Sequence, residues 1–198
     1  MVQSISTRYR KYVQELTPSE LLERLATLSR AERRAAGAEL GLNAAQLDAL
    51  SYLERCNKYS DTPAALADFL CSSRGTVSQT LLALERKGFL TKTPDTADRR
   101  SVHCALTSKG RAALAIAAAR DPVARGLEQL EKAEQARLAS LLLPVLRSAQ
   151  EAHGRLTFGV CRTCAHFRRR GRRYRCGLTG EPLTAADSER ICREHEPC

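Results

Sequence analysis

The sequence lacks any apolar run approaching the ~20 residues that a helix needs to span a bilayer, so no membrane partner is expected. Its first residues, MVQSISTRYRKY, have no apolar core of the kind that drives secretion, and a cytoplasmic location is expected. Internal repeats and low-complexity tracts are also missing, which excludes solenoids and disordered arrays. Acids are in short supply. Against 32 Lys and Arg stand 22 Asp and Glu, a formal net charge of +10. Hydrophobic residues make up 43%, enough for a core, so the basic excess does not mark a disordered chain. Of the cations 26 are Arg and 6 are Lys, a bias that suits the bidentate recognition of phosphates and guanine edges.

Helix starts are legible in several places. Thr17-Pro18-Ser19-Glu20 has an N-cap, a proline at the first helical position and a capping-box acid, followed by the stripe Leu21, Leu22, Leu25 and Leu28. Asn43 to Gln46 opens a second helix through Leu47, Leu50 and Leu53. Thr62 to Gly110 then holds three signals in a telling order. Pro63 to Leu70 forms a short amphipathic helix, a tight turn follows, and Ser72 or Ser73 caps a further helix that ends before Gly88. Val77, Leu81 and Leu84 form the apolar face of that last helix, leaving Arg74, Thr76, Gln79 and Thr80 on another face. Phe89–Lys92 and Val102–Leu106 read as two strands around a charged tip, in which Asp98 can hold one arginine while Arg99 or Arg100 enters a groove. Helix pair plus basic hairpin is a winged helix-turn-helix, and double-stranded DNA is its expected partner.

Thr107 caps another helix, to Arg120, and a long helix is expected from about Val123 to Ala152, kinked at Pro144. Leu127, Leu130, Leu138, Leu141, Leu142, Val145 and Leu146 give this region more apolar surface than one wing domain covers, and a second copy of the chain is the economical partner. The alternative is that these leucines cover only the first helix of the same chain. His103 and Cys104 sit mid-strand and read as packing or surface residues.

From about Leu42 to Gly110 the chain resembles the MarR family of bacterial transcriptional regulators. The resemblance rests on Asp95-Thr96-Ala97-Asp98-Arg99-Arg100, on the LT-x-x-G signature at Leu106 to Gly110, and on the helix-turn-helix pattern from Leu66 to Gly88. It implies a homodimer on a pseudo-palindromic operator, often released by a small-molecule effector or by thiol oxidation. It also implies that Ser73, Arg74, Thr76, Gln79 and Thr80 belong to the recognition helix and that Asp98 and Arg100 are the wing pair. Members of that family generally stop near the position of Gly154, so residues beyond it fall outside the resemblance.

The tail carries five of the eight cysteines, as Cys161-x2-Cys164-x11-Cys176-x15-Cys192-x2-His195-x2-Cys198. A C-x2-C knuckle aims two thiolates at one centre, and two distant ligands complete a tetrahedron. This arginine-rich segment has few large apolar residues, so a metal would supply its folding energy, ~10–16 kcal/mol in small zinc peptides. Zinc on Cys161, Cys164, Cys176 and Cys192 is the first expectation, with His195 as alternative ligand and His166 and Cys198 as outside candidates. An iron–sulfur cluster fits the same four cysteines and would make the protein a redox or iron sensor. Six arginines between Arg168 and Arg175 form either an additional phosphate-binding surface or a solubilising loop.

The expected fold is therefore mainly α with a small β-wing: N-terminal dimerisation helices over 1–42, a winged helix-turn-helix over 43–110, C-terminal dimerisation helices over 111–154, and a metal-stabilised module over 155–198. The expected function is a DNA-binding regulator acting as a repressor, not an enzyme. A metal-dependent nucleic-acid hydrolase is the contrary reading, but catalytic zinc needs an open position and a nearby base. No carboxylate or histidine pair in the sequence stands out for that role. A third reading is an interaction module whose tail holds a partner protein.

Overall fold

Thr17 caps the first helix, α1 (Pro18–Glu39), by accepting from the Glu20 backbone, while the Glu20 carboxylate accepts from the Thr17 N–H at 2.7 Å. In the computed structural model, which describes residues 16–95, 101–152, 154, 156–171 and 173–198, the same capping logic recurs along the chain. Asn43 and Gln46 form a reciprocal box at the start of α2 (Ala44–Arg55). Thr62 caps α3 (Pro63–Phe69), Ser73 caps α4 (Arg74–Arg86), and Thr107 caps α5 (Ser108–Arg120). Each cap satisfies an amide that the first helical turn leaves without a partner.

The end of α4 shows how one signature works. Gly88, at φ +75°, donates to Glu85, and Phe89 donates to Leu84, closing the helix in a Schellman motif that a side chain at Gly88 would strain. The chain then enters β1 (Leu90–Pro94), pairs antiparallel with β2 (Val102–Leu106), and reaches Thr107. The Thr107 hydroxyl donates to the Gly88 carbonyl at 2.8 Å, and Gly110 lies so close beneath the Phe89 carbonyl that a Cβ there would overlap it. The LT-x-x-G signature is thus a clamp that fixes the wing base to α5.

Val77, Leu81 and Leu84 are buried against Leu47, Leu50, Leu53 and Leu66, with Phe89, Leu90, Leu106 and Ala113 closing the core. Helix α1 packs along α5 and on α6 (Pro122–Glu128), joined by Arg120–Glu39 at 2.6 Å and by Ser29 donating to Asp121 at 2.8 Å.

Two sequence expectations need correction. The first strand starts at Leu90 and runs to Pro94, because Phe89 is used by the helix terminator. The single long helix from Val123 is instead α6 followed by α7 (Lys132–Ala152). Gln129 and Leu130 bond back three residues, the Gln135 amide donates to the Leu127 and Leu130 carbonyls at 3.0 Å, and Glu134 accepts from the Glu131 N–H. Side chains from the next helix therefore end one helix and begin the other. Helix α7 continues through Pro144, has no buried residue, and presents Leu141, Leu142, Leu143, Val145 and Leu146 to the outside.

The tail forms small sheets: β3 (Gly159–Val160) pairs with β7 (Ile191–Cys192), and β4 (Phe167–Arg170), β5 (Arg173–Cys176) and β6 (Pro182–Leu183) make a three-stranded antiparallel sheet. A short helix, α8 (Ala185–Ser188), joins them. The tail does not stand apart from the winged helix. Phe158 packs edge-on against Phe69 and Tyr52, with ring centroids 5.2 and 6.2 Å away, and the Asn57 N–H donates to Ile191 at 2.9 Å.

Tyr52 anchors this junction, its fully buried hydroxyl donating to the Ser60 carbonyl at 2.7 Å. Tyr52→Phe should leave that carbonyl unpaired in an apolar setting and cost about 1–3 kcal/mol. A chemical-denaturation midpoint unchanged from the parent would show that the bond contributes nothing.

Candidate nucleic-acid interface and metal centre

Because α4 commits Val77, Leu81 and Leu84 to the core, its opposite face is free to meet a ligand. Ser73, Arg74, Thr76 and Gln79 are exposed there and Thr80 is half-buried. Their hydroxyls are not equally available. Ser73 accepts from the Thr76 N–H at 3.1 Å and lies 2.8 Å from the Thr76 hydroxyl, and Thr80 donates to the Thr76 carbonyl at 3.0 Å. Among the described residues, Arg74 and Gln79 are the recognition-face side chains that no hydrogen bond occupies. Arg74 also lines a cleft of about 440 Å³ with Thr62, Pro63, Ser101, Val102 and, from the tail, Arg193. The wing residues Asp98, Arg99 and Arg100 lie outside the described residues.

Sequence reasoning missed what anchors the wing. His103 places Nδ1 2.5 Å from Asp61 and Nε2 2.8 Å from Asp95, and the Cys104 N–H donates to the Asp61 carbonyl at 2.8 Å. The imidazole thus ties the wing stem both to its own turn and to the segment before α3. Nothing in the sequence pairs His103 with Asp61, 42 positions earlier. Hydrogen bonds from Asp95 and then Asp61 raise the His103 pKa, while burial works against them. Burial raises the Asp61 pKa as well, against the lowering effect of His103. The bridge is geometrically complete with a doubly protonated imidazole, which donates at both nitrogens.

In the tail, the four predicted cysteines come together. Cys161, Cys164, Cys176 and Cys192 line one cavity of about 160 Å³, walled also by Tyr59, His166, Phe167, Leu178, Thr179 and Glu194. The knuckle Cys161–Thr163 is a single 3₁₀ turn, closed by the Cys164 N–H donating to Cys161 at 3.1 Å. Cys176 enters at the end of β5 and Cys192 at the end of β7. The Glu196 N–H points at the Cys164 sulfur, 3.5 Å away. Burial first, then the neighbouring thiols of Cys192, Cys176 and Cys164, push the Cys161 thiol up to about 12. Burial raises Cys192 too, opposed by the adjacent Asn57 side chain, the Glu194 backbone and Ser60.

The alternative ligands fare differently. His195 is buried but turned away from the cavity, its Nε2 3.0 Å from the Thr163 hydroxyl, which itself donates to the Val160 carbonyl. That makes Nε2 the donor and leaves the lone pair on Nδ1, which lies 3.4 Å from the Thr157 hydroxyl. Cys198 is exposed and directs its sulfur at the Thr163 carbonyl. His166 lines the cavity and faces Glu196 at 3.0 Å. Among the described residues, no three His, Cys, Asp or Glu side chains close on a point that a single ion could occupy. The remaining buried cysteines, Cys56 and Cys104, are pushed by burial to about 12 and about 11, as unreactive core thiols.

The arginine run is a β-hairpin, with Arg168 opposite Arg175 and Arg169 opposite Tyr174. Arg168, Arg169, Arg170, Arg173 and Arg175 are all exposed, and Arg169 lies over the Tyr174 ring at 5.9 Å.

The histidine bridge sets a pH dependence. A raised folded pKa means that the bridge contributes its full stability below the unfolded value of about 6.5 and loses it as pH rises through the folded value. An NMR titration of His103 should therefore give a pKa above the ordinary histidine value, falling in Asp95→Asn. An unshifted His103 in the parent would remove the bridge from the account.

The motif MarR family matches residues 42–102. A mutant of MepR from S. aureus is 25% identical over 69% of this chain and 99% of its own, with a TM-score of 0.58. An S. aureus MepR–DNA complex is 25% identical over 68% and 99% respectively, TM-score 0.54. Apo MarR from E. coli, 24% identical over 66% and 98%, shares the fold with a TM-score of 0.50. No curated protein matches the chain. These structures are matched along almost their whole lengths, while about a third of the present chain lies outside each match. No described helix is long and apolar enough to cross a membrane. By signature and fold, residues 42–102 are similar to the MarR family, and the chain shares the winged-helix fold of these solved structures.

Proposed function

We propose that this protein is a DNA-binding transcriptional regulator that acts as a homodimeric repressor on a pseudo-palindromic operator. The observation that carries the reading is α4, packed by its apolar face and open on the face bearing Arg74, Thr76 and Gln79, beside a two-stranded wing. The likeness to MepR in complex with DNA supports the same partner for this chain. Exposed Leu21, Leu22, Leu25 and Leu28 on α1, and Leu141 to Leu146 on α7, support a second copy as the cover for both helices. Dimerisation sets two recognition helices about one DNA turn apart, ~34 Å.

A cleft of about 310 Å³ between α1, α2 and α5, lined by Arg33, Ser51, Glu54, Arg55 and Leu114, is the candidate seat of a small-molecule effector. Its size falls at the lower end of ligand pockets, roughly 300–1,000 Å³. The four tail cysteines hold a metal group. A site closed by four sulfurs gives a metal no open position for hydrolysis, which favours regulator over enzyme.

Footprinting on a genomic fragment should reveal two protected half-sites, with affinity falling by roughly 0.9 log-log slope units of salt per phosphate contact. Arg74→Ala should weaken operator binding by about 1–3 kcal/mol. Equal affinity for random duplex and operator would refute the reading. Leu142→Glu should convert the dimer to monomer in sedimentation, and a parent that sediments as a monomer would overturn the dimer.

A further inference from the structure

The tail cavity has a size that discriminates between occupants. A zinc ion draws four sulfurs to about 2.3 Å from one centre and leaves no void between them. Here the four cysteines line, together with Tyr59, Phe167 and Leu178, a cavity of about 160 Å³, many times the ~10–15 Å³ that is enough to hold a single water. No three described donors close on a single ion. The arrangement therefore calls for a polyatomic group with four thiolate attachments, and iron–sulfur clusters are held by such a set.

A second observation points into the same place. Asn57 is 1% exposed, yet its Nδ2 finds no hydrogen-bond partner, although it lies beside Cys192. A buried amide donor without an acceptor costs about 1–3 kcal/mol. A cysteine thiolate or a bridging sulfide would supply that acceptor, and such N–H···S bonds tune clusters. The Glu196 N–H already points at Cys164 in the same sense.

The third observation concerns what the ligands are attached to. Residues 190–193, which include Cys192, are clasped to the loop before α3. Arg190 donates to the Cys56 carbonyl at 3.2 Å, the Arg193 N–H donates to the Ser60 hydroxyl at 2.8 Å, and the Arg193 guanidinium grips Asp68 of α3 at 2.7 and 2.9 Å. Arg193 also faces the cleft that Arg74 lines. Lys58 and Tyr59, the latter a wall of the cavity, hold Glu181 at 2.5 and 3.1 Å.

We propose that Cys161, Cys164, Cys176 and Cys192 bind an iron–sulfur cluster whose presence locks the tail onto the helix-turn-helix, so that cluster occupancy sets DNA affinity. This rests on the DNA-binding reading above. The chain of contact is short: cluster to Cys192, Cys192 to its neighbour Arg193, Arg193 to Asp68 in the helix before α4. Loading is a ligand exchange: a preformed cluster gives up its carrier's ligands for the four cysteine thiolates, and the four thiol protons pass to those departing ligands or to water, with no change of oxidation state. Loss of the cluster frees the β3–β7 strands, withdraws Arg193 from Asp68 and from the DNA-side cleft, and lowers operator affinity.

The test uses the full chain, purified without oxygen. Iron and acid-labile sulfide should accompany it, with a brown visible absorption that Cys176→Ser abolishes. Stripping the iron with a chelator should weaken operator binding by about 5–150-fold, the usual span of coupling between sites. Arg193→Ala should keep the iron, so that its folding is confirmed by colour, but its affinity should no longer respond to stripping. A colourless protein carrying one zinc per chain would overturn the cluster. Equal operator affinity of loaded and stripped protein would overturn the coupling while leaving the cluster in place. Failure of both forms to select any site would instead sink the DNA-binding reading, and iron content would still decide the occupant.

Discussion

The burial of Val77, Leu81 and Leu84 against α2 and α3 is the contact on which the rest of the molecule depends. It fixes the rotation of α4 about its axis, and rotation alone decides which side chains a groove would meet. Each buried leucine is worth about 1.5–3 kcal/mol by transfer, so the orientation is held far more firmly than any polar contact on the outer face could hold it. The Schellman turn at Gly88 and the Thr107 clamp then set the wing in a fixed relation to that helix. Polar residues on α4 can vary in such a frame without moving the scaffold, since the packing they depend on lies behind them.

Elements whose causes are local were legible in the sequence. The capping boxes at Thr17 and Asn43 are three residues wide, and the structure has both. The apolar spacing of Val77, Leu81 and Leu84 reports one helix face directly, as does the glycine that ends it. The break between α6 and α7 was not legible, because Gln135 and Glu134 make it by reaching back from a segment that itself reads as a good helix. The His103 bridge escaped for a different reason. Its partner Asp61 lies on another element, and a histidine in a strand carries no mark of what it will face. Cysteine spacing grouped Cys161, Cys164, Cys176 and Cys192, and the four line one cavity. Spacing contained nothing about cavity size, which depends on how β3, β5 and β7 are set against Tyr59.

The tail changes what kind of winged helix this is. Contacts between residues more than 120 positions apart, Lys58 with Glu181 and Arg193 with Asp68, join it to the segment from Cys56 to Asp68. Exposed ion pairs are weak, at most about 1 kcal/mol each. The aromatic packing of Phe158 with Tyr52 and Phe69 and the backbone bond to Ile191 are therefore the firmer part of the join. These contacts hold the two ends of the clasp, at Phe158 and at Ile191, on the same core that orients α4.

That division of strength shapes how a signal could pass. An apolar join resists small perturbations, whereas the Arg193–Asp68 grip is partly exposed and depends on where the neighbouring Cys192 is held. In the cluster-bound protein proposed above, the group at the cysteines needs to do little work to make or break the weaker contact while the stronger one keeps the tail attached. The arginine hairpin, with its guanidinium groups exposed, travels with the same module. Displacing the module shifts those charges relative to the face of α4, and phosphate attraction changes with distance over about a Debye length, ~8–10 Å at ordinary salt. In the proposed regulator, a modest movement at the cavity would thereby change the field that DNA meets, without any rearrangement of α4.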